Sequence, residues 1–279
     1  MTVPLLEVSD LSVEFPLRRQ RLQALDRISF TLAAGEVLGF VGESGAGKSL
    51  TGAAIMGLLE PPGRITGGRI ALAGERIDGR AETVRGRQIG MIFQDPLTSL
   101  NPLRTVGDQL VETIQLHLGM DSAAAMARAG ELLDEVGIDR ERIGAYPHEF
   151  SGGMRQRIVI ALALAPEPRL IIADEPTTAL DVSIQAQVLA LLRRLCKERG
   201  AAVILITHDM GVIAETTDRV AVLYAGRLVE TGRTAEVISA PRHPYTRGLM
   251  AATPNLDRVS VDTVLPQIPG SMPSLADLP

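Results

Sequence analysis

The sequence predicts an α/β protein with a largely parallel sheet and an all-helical segment inserted into it. Three observations predict this. Short apolar runs alternate with helical segments along most of the 279 residues. A glycine-rich turn joins a strand to a helix at 42–49. The stretch 102–165 carries helical patterns with no clear strand among them.

The candidate strands, in order, are 5–8, 36–41, 69–73, 88–93, 170–174, 203–207 and 219–224. Helices are expected at 48–59, 182–199 and 210–216. Pro61, Pro62 and Gly63 stop the first of these; Asp181 stands as N-cap of the second and Gly200 lies just past its end. Within the insert, helical segments are expected near 106–118, 122–136 and 151–165. Residues 223–232 read as a hairpin turning at Ala225-Gly226. This divides the chain into an α/β core (1–101 and 166–232), a helical subdomain (102–165) and a C-terminal extension (233–279). From Pro254 onward the chain is rich in Pro, Ser and Asp and is expected to be an extended tail.

Composition excludes several classes. Apolar residues make up 46% and charged residues 22%, which is globular. A net charge of −5 provides no basic field to draw nucleic acid. Cys196 is the one cysteine, so no internal disulfide forms, and a small packing residue in a reducing compartment is expected. Glu7, Asp10 and Glu14 interrupt the first fifteen residues, where the apolar core of a signal peptide would sit. The longest apolar stretch in a helical context, 158–165, is far short of the ~20 residues that span a bilayer. Any membrane role is therefore expected to come through partners.

Gly42-Glu43-Ser44-Gly45-Ala46-Gly47-Lys48-Ser49 fits the phosphate-loop pattern G-x-x-x-x-G-K-[ST], after a strand and at the head of a helix. Glycines let backbone N–H groups curl around a phosphate, and the helix N-terminus, through Leu50, adds a favourable dipole. Lys48 reaches the β- and γ-phosphates of ATP, and the Ser49 hydroxyl ligates Mg²⁺. The alternative is a glycine-rich turn with a chance lysine. Against it stands Leu170-Ile171-Ile172-Ala173-Asp174-Glu175, an apolar strand ending in two acids. Two adjacent carboxylates there are costly without a cation; Asp174 suits the Mg²⁺ shell and Glu175 can polarise a water for in-line attack.

Between these elements, Phe150-Ser151-Gly152-Gly153-Met154-Arg155-Gln156-Arg157 resembles the signature loop of the ABC ATPases, usually L-S-G-G-Q, with Phe150 and Met154 replacing its first and last residues. The resemblance implies a phosphate-loop core of ABC ATPase type, with ATP sandwiched between two subunits. Ser151, Gly152 and Gly153 would close over the γ-phosphate held by the other subunit. It also implies that Gln94 contacts Mg²⁺ and the attacking water, that His208 contacts the γ-phosphate, and that Ala179-Leu180-Asp181 links the two sites. Phe15 is either a core strand residue or, by the resemblance, the aromatic stacked on adenine. His117 reads as a surface residue.

A narrower resemblance, to dipeptide/oligopeptide importer ATPases and the nickel importers of the same group, rests on Glu43 within the phosphate loop, Gln94-Asp95-Pro96-Leu97-Thr98-Ser99-Leu100-Asn101-Pro102, Tyr146-Pro147-His148-Glu149-Phe150-Ser151, residues 173–181, and Arg242-His243-Pro244-Tyr245-Thr246. It implies a second ATPase chain, identical or a paralogue, two permease subunits and indirectly a substrate-binding protein, on the cytoplasmic face of the bacterial inner membrane. Residues 95–101 would carry motion to the permeases. The cargo stays open among peptides, nickel and another small solute. Many members carry a cysteine-rich segment associated with an iron–sulfur cluster; with one cysteine, none is expected here. His148 and His243 are expected to be structural. Rival classes fit less well. A DNA-acting ABC ATPase would bring a long coiled coil or zinc cysteines, a ribosome-acting one two ATPase units, and a non-hydrolysing regulator would lack Glu175 or His208. A soluble ABC ATPase without a transport role is the remaining alternative.

Overall fold

The structure, a computed structural model, describes residues 3–17, 20–178 and 180–253. In chain order its strands and helices begin with β1 (Leu6–Pro16), β2 (Arg21–Leu32), β3 (Val37–Val41), α1 (Lys48–Met56), β4 (Arg64–Leu72) and β5 (Glu75–Arg76). There follow β6 (Ile89–Ile92), α2 (Pro96–Ser99), α3 (Val106–Leu118), α4 (Ser122–Glu135), α5 (Gly152–Leu164) and β7 (Leu170–Asp174). The chain continues with α6 (Val182–Glu198), β8 (Ala202–Ile206), α7 (Met210–Thr216), β9 (Arg219–Tyr224), β10 (Arg227–Arg233), α8 (Thr234–Ser239) and α9 (Pro244–Ala252). Two units emerge: 1–81 with 205–279, and 82–204, the division falling within β8.

The first unit holds an antiparallel sheet ordered β2-β1-β4-β5. Sequence reasoning assigns residues 5–8 and 69–73 to one largely parallel sheet; they belong instead to this separate antiparallel one. β2 is absent from that reading altogether. Its buried positions are Ala24, Leu25, Ile28, Phe30 and Leu32: Ala24 and Leu25 are buried side by side, and Asp26 and Arg27, the latter at φ 50, interrupt the apolar positions. That irregularity hides the period-two pattern. Also in this unit, β3 pairs parallel with β9, Gly39 opposite Val220, and β9 pairs antiparallel with β10. The β9–β10 turn falls at Ala225-Gly226 as expected, both with positive φ (46 and 75). Val41, Met210, Ile213, Val220, Val222, Val237 and Tyr245 form one buried cluster, bringing α7, α8 and α9 against β3 and β9.

Helix α1 ends at Met56, short of the expected 59. Gly57 adopts a left-handed conformation; its N–H bonds the Ala54 carbonyl, and the Leu58 N–H bonds the Ala53 carbonyl. This backbone cap stops the helix before the prolines are reached.

The second unit pairs β6 parallel with β7, Gly90 opposite Ile171. Between Val106 and Leu164 it contains helices and short 3₁₀ turns, with no strand among the described residues. The end of α4 is pinned by charge. Glu135 accepts from Arg128 at 2.9 Å and pairs with Arg199, whose guanidinium also donates to the Leu164 carbonyl. Burial pushes the Glu135 carboxyl up, but the hydrogen bonds from Arg199 and Arg128 outweigh it and hold it below its ordinary value. His117 is half-buried against Gly86 rather than on the open surface. Cys196 is buried, and burial pushes its thiol up to about 12.

Candidate active site

The loop 42–49 is shaped by backbone demands that only glycine meets. A Cβ on Gly42 would stand 2.3 Å from the Leu223 carbonyl oxygen, and Gly47 turns the chain into α1 at φ 102. Ala46 is tied in by its N–H to the Glu43 carbonyl (3.2 Å) and by its own carbonyl, which accepts from Gly226 (3.0 Å). Lys48 is buried, and its Nζ donates to the Gly42 (2.7 Å) and Glu43 (2.9 Å) carbonyls. Ser44, Gly45 and Ser49 face solvent and Leu50 is half-buried. The ammonium thus donates to two backbone carbonyls of the loop, each a weaker acceptor than an anionic phosphate oxygen.

Two more predicted residues lie in this unit. Phe15, on β1, is half-buried, and a Cβ on Gly63 would press its ring at 2.7 Å. His208 is exposed in the turn after β8, between Thr207, whose N–H bonds the Phe40 carbonyl, and Asp209, whose carboxylate caps α7 through Gly211 and Val212.

In the second unit, Asp174 ends β7 and Glu175 follows it in a left-handed conformation, φ 45. A non-glycine residue there stores strain of about 1–3 kcal/mol. One carboxylate oxygen takes two donors: Glu175 Oε2 accepts from Gln94 Nε2 (3.1 Å) and from the Thr178 hydroxyl (2.9 Å). The structure therefore brings together Gln94 and Glu175, 81 residues apart in sequence, and adds Thr178, which sequence reasoning missed. A threonine three residues after a strand-end acid is the only signal that pointed to it.

Ser151 caps α5 through the Met154 N–H (3.4 Å). Gly152 and Gly153 are the first two residues of that helix, and a Cβ on Gly153 would stand 2.6 Å from Ile184 of α6. Phe150 is buried under the Arg142 guanidinium, 4.1 Å from the ring centroid, and Met154 sulfur accepts from the same arginine. Asp181 occupies the N-cap of α6 and is exposed, and its side chain makes no capping bond. Ala179 lies outside the described residues. His148 stacks on Tyr146 at 5.8 Å and His243 Nδ1 accepts the Tyr245 N–H.

Among known families, the ABC transporter model matches residues 25–178, and that of the oligopeptide/dipeptide transporter C-terminal region matches 229–279. The chain is 51% identical over 282 residues to the oligopeptide transport ATP-binding protein OppD of Bacillus subtilis, covering 99% of this chain and 78% of that protein. It is 46% identical over 281 residues to the dipeptide transport ATP-binding protein DppD of Escherichia coli, covering 99% and 85%. Of solved structures, cbiO1 from Clostridium perfringens, part of the ABC transporter complex cbiONQ, matches with TM-score 0.73 at 27% identity, over 85% of this chain and 91% of that one. A dimeric ATP-binding cassette in a post-hydrolysis state bound to ADP and Pi matches with TM-score 0.72 at 26% identity, over 82% and 98%.

Proposed function

The chain belongs to the ABC transporter family, in its oligopeptide and dipeptide group, and from that premise we propose that it is the ATP-hydrolysing subunit of an importer of di- and oligopeptides. The observation that carries the hydrolytic part is the strained Glu175, held by Gln94 and Thr178. A carboxylate fixed before substrate arrives needs no reorganisation to accept a proton.

The family resemblance assigns the roles. Gly42, Glu43, Ser44, Gly45, Ala46, Gly47, Lys48, Ser49 and Leu50 hold the phosphates, and Phe15 takes the adenine. Ser49, Gln94 and Asp174 offer hydroxyl, amide and carboxylate oxygens, the hard donors that Mg²⁺ takes. Bound there, the ion neutralises charge on the phosphate oxygens. Glu175 accepts the proton of the water attacking the γ-phosphate; His208 donates a hydrogen bond to the γ-phosphate oxygens. Ser151, Gly152, Gly153 and Asp181 serve the site of a second ATPase subunit, a paralogue. The ATP-binding core is 1–101 with 166–232, the helical subdomain 102–165 and the C-terminal extension 233–279.

Two transmembrane permeases complete the machine, which places the chain peripherally at the cytoplasmic face of the inner membrane; a substrate-binding protein feeds it from outside. Among the described residues no helix is long and apolar enough to cross a membrane. The second unit offers a seat for a permease. A cavity of about 520 Å³ is lined by Met91, Phe93, Thr98, Thr113, Val159 and Leu162. Phe93 and Leu97 stand exposed in the segments beside it, around the short helix α2. An apolar face of this kind marks a docking surface, and a cytoplasmic permease loop suits it. ATP closes the ATPase pair, and the 95–101 segment passes that motion to the permease.

The test is reconstitution in liposomes with the permeases, partner ATPase and binding protein, offering peptides, nickel complexes and sugars in turn. ATP-dependent uptake of di- to oligopeptides is expected. Full ATPase activity as a soluble homodimer with uptake of none would overturn the transport reading, and uptake of nickel alone would correct the cargo.

A further inference from the structure

The motif Arg242-His243-Pro244-Tyr245-Thr246 is tied to the phosphate loop. Glu230, on β10, accepts the N–H groups of Arg242 (2.8 Å) and His243 (3.0 Å). His243 then caps α9, its Nδ1 accepting the Tyr245 N–H at 3.2 Å, with Pro244 as the first helical residue. These bonds fix where Tyr245 starts. Its ring is buried, 4.5 Å from Tyr224 and in the same cluster as Val41, the residue directly before the loop. From there its hydroxyl oxygen accepts the N–H of Glu43 at 2.9 Å, across 202 residues of sequence.

That N–H belongs to the peptide unit joining Gly42 to Glu43. The carbonyl of the same unit is Gly42 O, the nearer acceptor of Lys48 Nζ (2.7 Å). A peptide is planar, so a hold on its N–H sets the direction of its C=O. Tyr245 grips one end of the plane and Lys48 the other. The restraint matters because Gly42 has no Cβ to limit rotation and stands at φ 152. Donation by the N–H also polarises the carbonyl toward the ammonium. Burial pushes the Tyr245 hydroxyl up to about 12, so it stays neutral and sets no phenolate beside an anion-binding loop.

We propose that Tyr245 is a positioning residue for ATP binding: through the Gly42–Glu43 peptide it holds the loop and Lys48 in the form that receives the phosphates, so that the C-terminal region sets nucleotide affinity. This rests on the reading of 42–49 as the phosphate site. Tyr245→Phe removes only the hydroxyl. In the full chain it should weaken equilibrium ATP binding roughly 3- to 10-fold, the loss of about one buried hydrogen bond. In the assembled transporter KM for ATP should rise by a similar factor with kcat little changed. Amide hydrogen exchange at Glu43 should speed up while Phe40 and Val41 stay protected. Tyr224→Phe, which alters the same aromatic pair, should move none of these. Unchanged ATP affinity in Tyr245→Phe, or equal weakening in both variants, would overturn the proposal. A wild-type chain that binds no ATP would instead remove the phosphate-site reading beneath it.

Discussion

Gly45 and Gly47, before α1, stand at φ 82 and 102, whereas Gly152 and Gly153 already belong to the regular turns of α5. Both loops open a helix and both are glycine-rich, but the glycines do different things. In the first they shape a concave backbone, closed by the chain itself through Lys48, Gly226 and Tyr245. In the second they admit a neighbour: Gly153 makes room for Ile184, and Ser151 spends its oxygen on capping its own helix. Ser151 and Gly152 remain exposed. A loop braced from within suits a ligand held in cis. A loop that shows its face outward suits a phosphate brought by another molecule.

The largest expected effect separates binding from chemistry. Glu175→Gln leaves both loops intact, so ATP should still bind and a closed ATP-bound pair should accumulate. Turnover in the assembled transporter should fall ~10²–10⁴-fold, the usual worth of a general base. Normal turnover, measured by phosphate release, would remove Glu175 from that role.

A smaller effect probes what braces each region. The phosphate loop is closed by hydrogen bonds from Lys48 and to the Tyr245 hydroxyl, whereas the end of α4 is held by the Arg128–Glu135–Arg199 cluster, which reaches the last residue of α5 through Arg199. Glu135→Gln should cost about 1–2 kcal/mol, between the exposed and buried limits for ion pairs. Because the folded state holds the Glu135 carboxyl below its ordinary value, this stability is present above the ordinary carboxylate range and lost as pH falls through the lowered one. Urea unfolding at pH 7 and again near pH 4 should show the wild-type advantage shrinking. An advantage independent of pH would assign the loss to packing.

Much of this was legible beforehand where local chemistry and context coincide. The strand–turn–helix around Lys48 and the apolar run into Asp174-Glu175 need only neighbours in sequence, and the start of α1, all of α7 and the Ala225-Gly226 turn follow as expected. What was missed depends on partners far along the chain or on broken periodicity. β2 breaks its alternation at the buried pair Ala24-Leu25 and the polar Asp26-Arg27, and β4 begins in the unpromising Arg64-Ile65-Thr66-Gly67-Gly68 because β1 pairs with it. Tyr245 stands in a motif noticed without a role, since its partner lies 202 residues away. Gln94 was anticipated by resemblance, but its contact with Glu175 and the support from Thr178 come from the fold alone.

One paired measurement separates the two loops most directly. ATP affinity of the isolated chain and ATP turnover of the assembled transporter are compared for Lys48→Ala and Ser151→Arg. Lys48→Ala should weaken binding by the isolated chain by about 100-fold or more, as expected when a charged donor to phosphate is removed. Ser151→Arg should bind ATP like the wild type when alone, yet lose turnover in the assembly, because its loop acts on the partner's nucleotide. Equal loss of binding in the isolated Ser151→Arg chain, or full turnover of its assembly, would contradict a site shared between two subunits.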